Sequence, residues 1–526
     1  MSTLAGTGAM VRLALRRDRV RLPLWVVGIV ALLMSSVASV TSLYASDAER
    51  ASHTSAVGSN PVAVIMGGPG AGLPSLGGVV VFEVAVVGYV AVGLMSVLLV
   101  VRHTRSEEEA GRTELLRAGA VGRHAGPVAA LLVVTTANLA VGAVMAVGLV
   151  GYGLPSAGSL ALASSTAAFG LVMAAVAALT AQVTEHARGA SGAAAASLGG
   201  FFALRAAGDV GNGALSWASP MGWALATRPF AQERWVALLL PLVLGGALVV
   251  TALALVDRRD VGAGLTPARA GRARASRWLS GTIGLALRQH RASLAGWGVG
   301  LFLLGVAYGS VGDAVEELVS DNEGLAEFIG GSGAQLMDSF FVVAASMIAL
   351  LASGFALQVA TRMRAEEEAG RLEPLLATAL PRWRWATSHL LVAVLGSTLL
   401  LALSGLGLGL AHGALTADSS QVGRLTAATL IHAPAVWVLV GVAAALFGLV
   451  PRAAAAAWAV LAASVVGVLL STTLRLPDWA VDLTPFHHVP QVPLEGVALT
   501  PVVTLTAVAA GLVTVGLVGL NHRDVT

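Results

Sequence analysis

Long apolar runs alternate with short arginine-bearing segments along this chain. Twelve runs approach or exceed the length of a membrane span, near 24–44, 79–101, 127–152, 159–182, 190–207, 235–256, 294–310, 340–361, 386–411, 425–449, 453–472 and 500–520. A helix crosses a hydrocarbon core of about 30 Å in about 20 residues. The short alternating segments of a β-barrel are absent. The pattern predicts an all-α polytopic membrane protein of about 12 transmembrane helices. The fifth and eleventh runs are the weakest, being rich in Ala and Gly, and the fifth contains Arg205.

The pattern also repeats. Glu107-Glu108-Glu109-Ala110-Gly111-Arg112 returns 259 positions later as Glu366-Glu367-Glu368-Ala369-Gly370-Arg371. Leu13-Ala14-Leu15-Arg16 parallels Leu285-Ala286-Leu287-Arg288, and Arg259-Asp260-Val261 parallels Arg523-Asp524-Val525. Ile65-Met66-Gly67-Gly68 resembles Phe328-Ile329-Gly330-Gly331. The offsets stay between 259 and 272, as a duplication with small insertions leaves them. The expected division is a six-span half over 1–260, a linker over 261–280 and a second six-span half over 281–526. Six spans per half make the copies parallel repeats about an axis along the membrane normal.

Composition agrees with a membrane protein. Of 526 residues, 56% are hydrophobic and 12% charged, about half the charged share of a soluble domain. Mean hydropathy is +0.80. All 32 basic residues are arginine, and cysteine is absent. With the N-terminus inside, the inner segments carry 26 of the 32 arginines, which places both termini in the cytoplasm. The first run is long enough to span, so it reads as a membrane helix rather than a cleaved signal. The arginines follow the positive-inside rule, so the basic pI implies no nucleic acid partner. The arginine-rich linker and the stretches 8–22 and 280–293 suit anionic headgroups and interfacial helices.

The acidic motif is the sharpest candidate for mechanism. On one continuous helix, Glu108 would sit a turn before Arg112 and Glu367 a turn before Arg371, a favourable i,i+4 order. Such a helix reads as a docking surface used twice, or as a solvated loop kept alike by common descent. Glu83 lies about one turn inside the outer end of the second span, where an ionisable group is a functional candidate by default. Binding a cationic group, counter-charging Arg205 and reaching the headgroup region to be solvated are all open to it. Asn138, Gln182, Gln358 and His432 suit hydrogen bonds between spans. Residues 208–234 and 473–499, with Ser219-Pro220-Met221-Gly222-Trp223 and Thr484-Pro485-Phe486-His487-His488, read as re-entrant or interfacial segments or as outer loops. The segment 311–339 holds Asp313, Glu316, Glu317, Asp321, Glu323, Glu327 and Asp338 and reads as a solvated outer loop. His487 and His488 lack the partner spacing of a metal site. A Walker phosphate loop needs lysine, and none is present. The chain is expected to have no nucleotide site and no enzyme activity of its own.

The order of an amphipathic opening helix, two spans around a long outer loop, the Glu-Glu-Glu-Ala-Gly-Arg motif with a leucine pair after it, and four more spans resembles the membrane subunit of type-2 ABC exporters. The fused duplicated form, with Ser219-Pro220-Met221-Gly222-Trp223 and Arg258-Arg259-Asp260-Val261-Gly262-Ala263-Gly264, is similar to bacterial permeases called exporters of polyketide antibiotics. That resemblance covers essentially the whole chain. It implies a permease in the bacterial cell membrane that exports hydrophobic or amphiphilic compounds, antibiotics among them. It implies two cytoplasmic ATPase subunits as partners, which would bind the ATP and Mg. It assigns the coupling role to Glu107, Glu108, Glu109, Gly111 and Arg112, and to Glu366, Glu367, Glu368, Gly370 and Arg371, in an alternating-access cycle. An ion-gradient transporter using Glu83, and a membrane sensor that docks a partner without transport, remain alternatives.

Overall fold

A computed structural model describes residues 2–58, 61–119, 121–260, 262–265, 276, 279, 281–310, 333–470 and 477–523. The first five acids of the outer segment from Asp313 to Glu323, together with Glu327, lie outside the described residues, as do the Phe328–Gly331 copy and most of the linker. All regular structure among the described residues is helical. Among the described residues, eleven helical stretches are long and apolar enough to cross a membrane. These match eleven of the twelve expected runs. The expected fifth span is helical, Ala187–Val210, but it is absent from that set. It carries Arg188, Arg205 and Asp209 among many alanines and glycines. The chain is a polytopic membrane protein that divides into two units, Met1–Gly271 and Arg272–Thr526.

The first unit opens with the arginine-rich α1 (Thr7–Arg17) and the span α2 (Arg21–Leu43). Short helices α3 (Asp47–Gly58) and α4 (Pro61–Gly67) lead to α5 (Leu76–His103). An elbow of α6 (Arg105–Glu109) and α7 (Arg112–Arg117) follows. Then come α8 (Ala125–Gly151), α9 (Ser156–Val183), α10 (Ala187–Val210), the short α11 (Pro220–Leu225) and α12 (Leu239–Val256). Helix α9 is the centre, with α5, α8, α10 and α12 against it. Outward residues such as Leu24, Val27, Leu242, Val243 and Val250 are exposed and apolar, as a lipid solvent requires. Asn138 on α8 donates to Ser96 Oγ on α5 at 2.9 Å, the expected bond between spans.

The second unit runs α13 (Thr282–Ser310), α14 (Gly333–Glu368), α15 (Glu373–Leu376), α16 (Arg382–Leu415), α17 (Ser420–Leu430), α18 (Ala433–Leu449), α19 (Ala457–Leu470), α20 (Asp478–Asp482) and α21 (Leu499–His522). Small residues let its helices approach to backbone distance, as membrane helix pairs favour. A Cβ on Gly448 of α18 would lie 2.0 Å from the Gly516 carbonyl of α21. A Cβ on Gly305 of α13 would lie 2.0 Å from the Ser404 carbonyl of α16. Gln358 accepts from Ser293 at 3.1 Å and Trp297 at 3.2 Å, tying α14 to α13. His432 meets Ser346 of α14 at 3.2 Å.

The two loop segments differ. Ser219 caps α11 by accepting from the Met221 N–H at 3.2 Å and donates to the Phe201 carbonyl at 2.6 Å. Pro220, Met221 and Gly222 are buried. Phe230 then lies where a Cβ on Gly77 or Gly158 would stand. In the second unit, Pro485 and Phe486 are buried while His487 sits 3.5 Å from Asp482.

Candidate functional site

The acidic motif forms an elbow at the end of the second membrane helix of each unit. In the first unit α5 stops at Thr104 and α6 continues for five residues. In the second, α14 runs unbroken through Glu368. Both then turn on a glycine in the left-handed region, Gly111 at φ 68° and Gly370 at φ 65°. The Gly111 N–H donates to the Glu108 carbonyl and the Gly370 N–H to the Glu367 carbonyl, both at 2.9 Å. Glycine closes a helix there because a Cβ disfavours positive φ.

The turn changes the expected pairing. Arg112 does not reach Glu108, nor Arg371 Glu367, because no continuous helix spans the glycine. Arg112 instead grips Glu107 at 2.7 and 3.0 Å, and Arg371 grips Glu366 at 2.7 and 3.3 Å. Those hydrogen bonds raise both arginines above their ordinary pKa. Glu107 also accepts from Arg17 of α1 at 2.7 Å, and Glu366 pairs with Arg362 at 2.9 Å.

The middle glutamate of each motif faces inward. Glu108 accepts a two-pronged bond from Arg259, at 2.7 and 2.8 Å, and a third bond from buried Arg105 at 2.6 Å. Glu367 accepts the same two-pronged bond from Arg523, at 2.6 and 2.8 Å. Arg259 and Arg523 belong to the Arg-Asp-Val signatures that recur in the sequence, just past α12 and α21. A further arginine supports each. Arg123 donates to the Arg259 carbonyl at 2.8 Å and Arg382 to the Arg523 carbonyl at 2.5 Å. Positions 123 and 382 are 259 apart, the offset of the acidic motif. Gln182, expected to bond another span, accepts from Arg259 Nε at 2.7 Å.

The third glutamate is the exposed one. Glu109 accepts from the Ala187 N–H at 2.8 Å at the start of α10. Glu368 pairs with Arg364 at 2.9 Å and keeps 60% of its side chain exposed. Leu115 is 78% exposed. Leu375 and Leu376 lean on the second unit's core. A cavity of about 510 Å³ opens beside the first elbow, between Met10 and Leu13 of α1, Leu116 of α7 and Pro127 of α8.

Buried charge near the elbows breaks the repeat. Asp18, fully buried, meets His103 at 2.7 Å and Arg102 at 3.2 Å. The repeat offset of 272 puts His290 at the position of Asp18. His290 packs edge-on against His389 with ring centroids 5.8 Å apart.

Glu83 lies on α5 with 43% of its side chain exposed, 3.6 Å from His53 of α3. It does not counter-charge Arg205. That arginine pairs with Asp209 at 3.3 Å, donates to the Val64 and Ile65 carbonyls and lies over the Phe202 ring. The His53 ring lies tilted against that of Tyr44 with centroids 4.4 Å apart, and burial pulls the His53 pKa down.

Sequence reasoning missed Arg105, Arg123, Arg259, Arg382 and Arg523 as parts of this site. Arg259 and Arg523 stand in the matched Arg-Asp-Val signatures, and Arg105 and Arg123 recur as Arg364 and Arg382 at the acidic motif's offset of 259, a match that local spacing does not tie to the glutamates.

A family model described as multidrug efflux system permease Rv1217c, C-terminal domain, matches residues 279–521. Across its length the chain is 40% identical to the multidrug efflux system permease protein Rv1217c of Mycobacterium tuberculosis (strain ATCC 25618 / H37Rv), covering 100% of this chain and 96% of that protein. At that identity and coverage, the chain belongs to the multidrug efflux system permease family.

Proposed function

We propose that this chain is the transmembrane subunit of an ATP-driven exporter of hydrophobic or amphiphilic compounds, antibiotics included. Two copies of a cytoplasmic ATPase dock against the elbows, bind ATP and Mg, and drive alternating access. The elbows and both termini face the cytoplasm, on the side where the arginines concentrate. The name of the full-length relative supports efflux of several drugs.

The observation that carries the reading is the elbow itself. Two separate units hold the same acidic turn with the same two-pronged arginine pair. A helix end fixed this firmly can pass on a push. In this reading the motif divides its labour. Glu107, Glu108, Glu366 and Glu367 hold the elbow's shape. Glu109, Glu368, Arg112 and Leu115 present its outer face to the ATPase, while Gly111, Gly370 and Arg371 shape the turn.

Purification of the tagged chain from native membranes in mild detergent tests this. A stoichiometric ATPase is expected to come with it. Leu115→Asp combined with Glu368→Arg is expected to release the ATPase while the chain stays monodisperse. Recovery of the intact chain with no ATPase contradicts the proposal.

A second reading rests on the Glu83–His53 contact. An ion-gradient transporter would use that pair as its ion site, and Glu83→Gln would then abolish export. The ATP-driven reading expects Glu83→Gln to keep most of it.

A further inference from the structure

We infer that Arg259 and Arg523 are positioning residues, each clamping the foot of its unit's last membrane helix to the acidic elbow, so that elbow and helix move as one piece. The inference deepens the proposed coupling role of the elbows and rests on that reading for its transport consequence.

Three chain segments distant in sequence meet at each clamp. The elbow supplies Glu108 or Glu367. The foot of the last helix supplies Arg259 or Arg523. The start of the third membrane helix supplies Arg123 or Arg382, which holds that arginine's own carbonyl. The geometry is the same in both units, although the offsets are 259 for the glutamates and supporting arginines and 264 for the clamping arginines. The clamp therefore survived a change of chain length between its parts.

The last helices need such a link. Among the described residues, α12 and α21 lie in the least buried membrane-spanning stretches of their units. Side-chain packing alone gives an elbow little grip on them. A guanidinium fork on a carboxylate fixes both distance and orientation, and burial spares it from screening. Arg259 and Glu108 keep only 6% and 7% of their side chains exposed, and Glu367 1%.

The clamps differ in redundancy. Arg105 gives Glu108 a second close partner at 2.6 Å and also donates to the Gly262 carbonyl, just past α12, at 3.1 Å, a second tie between elbow and helix foot. Glu367 has Arg364 only at 3.6 Å. The second clamp therefore depends more heavily on one arginine. The Arg523 guanidinium also lies 4.9 Å from the Phe447 ring centroid of α18, which holds it in place.

The chain contains no cysteine, so paired spin labels report without background. Labels at Leu115→Cys and Arg258→Cys read the first clamp, and labels at Glu373→Cys and His522→Cys the second. The full chain in lipid nanodiscs is expected to give a narrow distance distribution for each pair. Arg523→Ala is expected to broaden the second distribution and leave the first unchanged. Arg259→Ala should broaden the first less, because Arg105 remains. Arg523→Lys keeps the charge but loses the fork, so it should broaden the distribution and lower ethidium efflux from cells less than Arg523→Ala does, and Arg523→Ala should lower efflux about tenfold. If Arg523→Ala does not fold, Glu367→Gln, which keeps the side chain's shape, carries the same comparison. Unchanged distances in the alanine or Gln variant overturn the clamp. Broadened distances with unchanged efflux overturn its role in transmission. No ethidium export by the unsubstituted chain counts against the export reading, and the distances still decide the clamp, since they need no partner.

Discussion

At the scale of single residues, burial decides what each glutamate of the motif does. Glu108 and Glu367 are enclosed and forked by arginine, whereas the Arg112–Glu107 pair has an arginine half exposed to solvent. Removing one partner of a buried pair leaves the other charge stranded and costs about 3–5 kcal/mol. An exposed pair is worth about 0–1 kcal/mol. Glu367→Ala is therefore expected to lower the thermal unfolding temperature of the purified chain clearly, and Arg112→Ala hardly at all. Equal shifts for the two would contradict the division of roles. The glycine turns give a second comparison. A side chain at Gly111 or Gly370 must sit at positive φ, at a cost of about 1–2 kcal/mol. Open space surrounds both positions. Gly370→Ala should thus destabilise through backbone conformation alone, and Gly370→Asn should recover part of the loss. The sequence showed the glutamates and the glycine but not their partners. An i,i+4 pair is legible from spacing only while the helix continues, and here it ends between the two residues. A pair such as Glu108 with Arg259 closes across 151 positions, which local periodicity does not report.

At the scale of elements, eleven of the twelve expected spans were legible because lipid demands apolar length and little else. The helix Ala187–Val210 was less so. Its Arg205 is buried against Asp209 of the same helix and against the Val64 and Ile65 carbonyls, which lie about 140 positions away in sequence. Close helix pairs were also hidden, since a glycine marks a contact only once its opposite is known. Gly448→Leu or Gly516→Leu should force α18 and α21 apart and yield a chain that aggregates in detergent. Monodisperse, stable protein from both variants would contradict the close approach. Helix α3 offers a pH test. Burial lowers the pKa of its His53 from the ordinary 6.5. A histidine with a lowered pKa in the fold gives stability that is full above 6.5 and lost as pH falls below it. Hydrogen exchange over residues 47–58 is expected to quicken between pH 7 and pH 5, and His53→Gln should remove most of that dependence. A flat pH profile in the unsubstituted chain would be the contrary result.

At the scale of the molecule, duplication is the organising fact. Each unit carries its own elbow and its own forked arginine, so a partner that recognises one has a second to recognise. The parts that break the repeat, Asp18 against His290 and the Trp223 loop against His487-His488, make the units unequal in surroundings while their elbows stay alike. Family membership fixes efflux as the subject, and the elbows suggest how energy enters. The most direct measurement is transport by the purified chain in proteoliposomes, with and without its co-purified ATPase. The account predicts drug movement only when ATPase, Mg and ATP are all present, with no response to an imposed proton or sodium gradient. Transport by the chain alone, driven by such a gradient and abolished by Glu83→Gln, would contradict it.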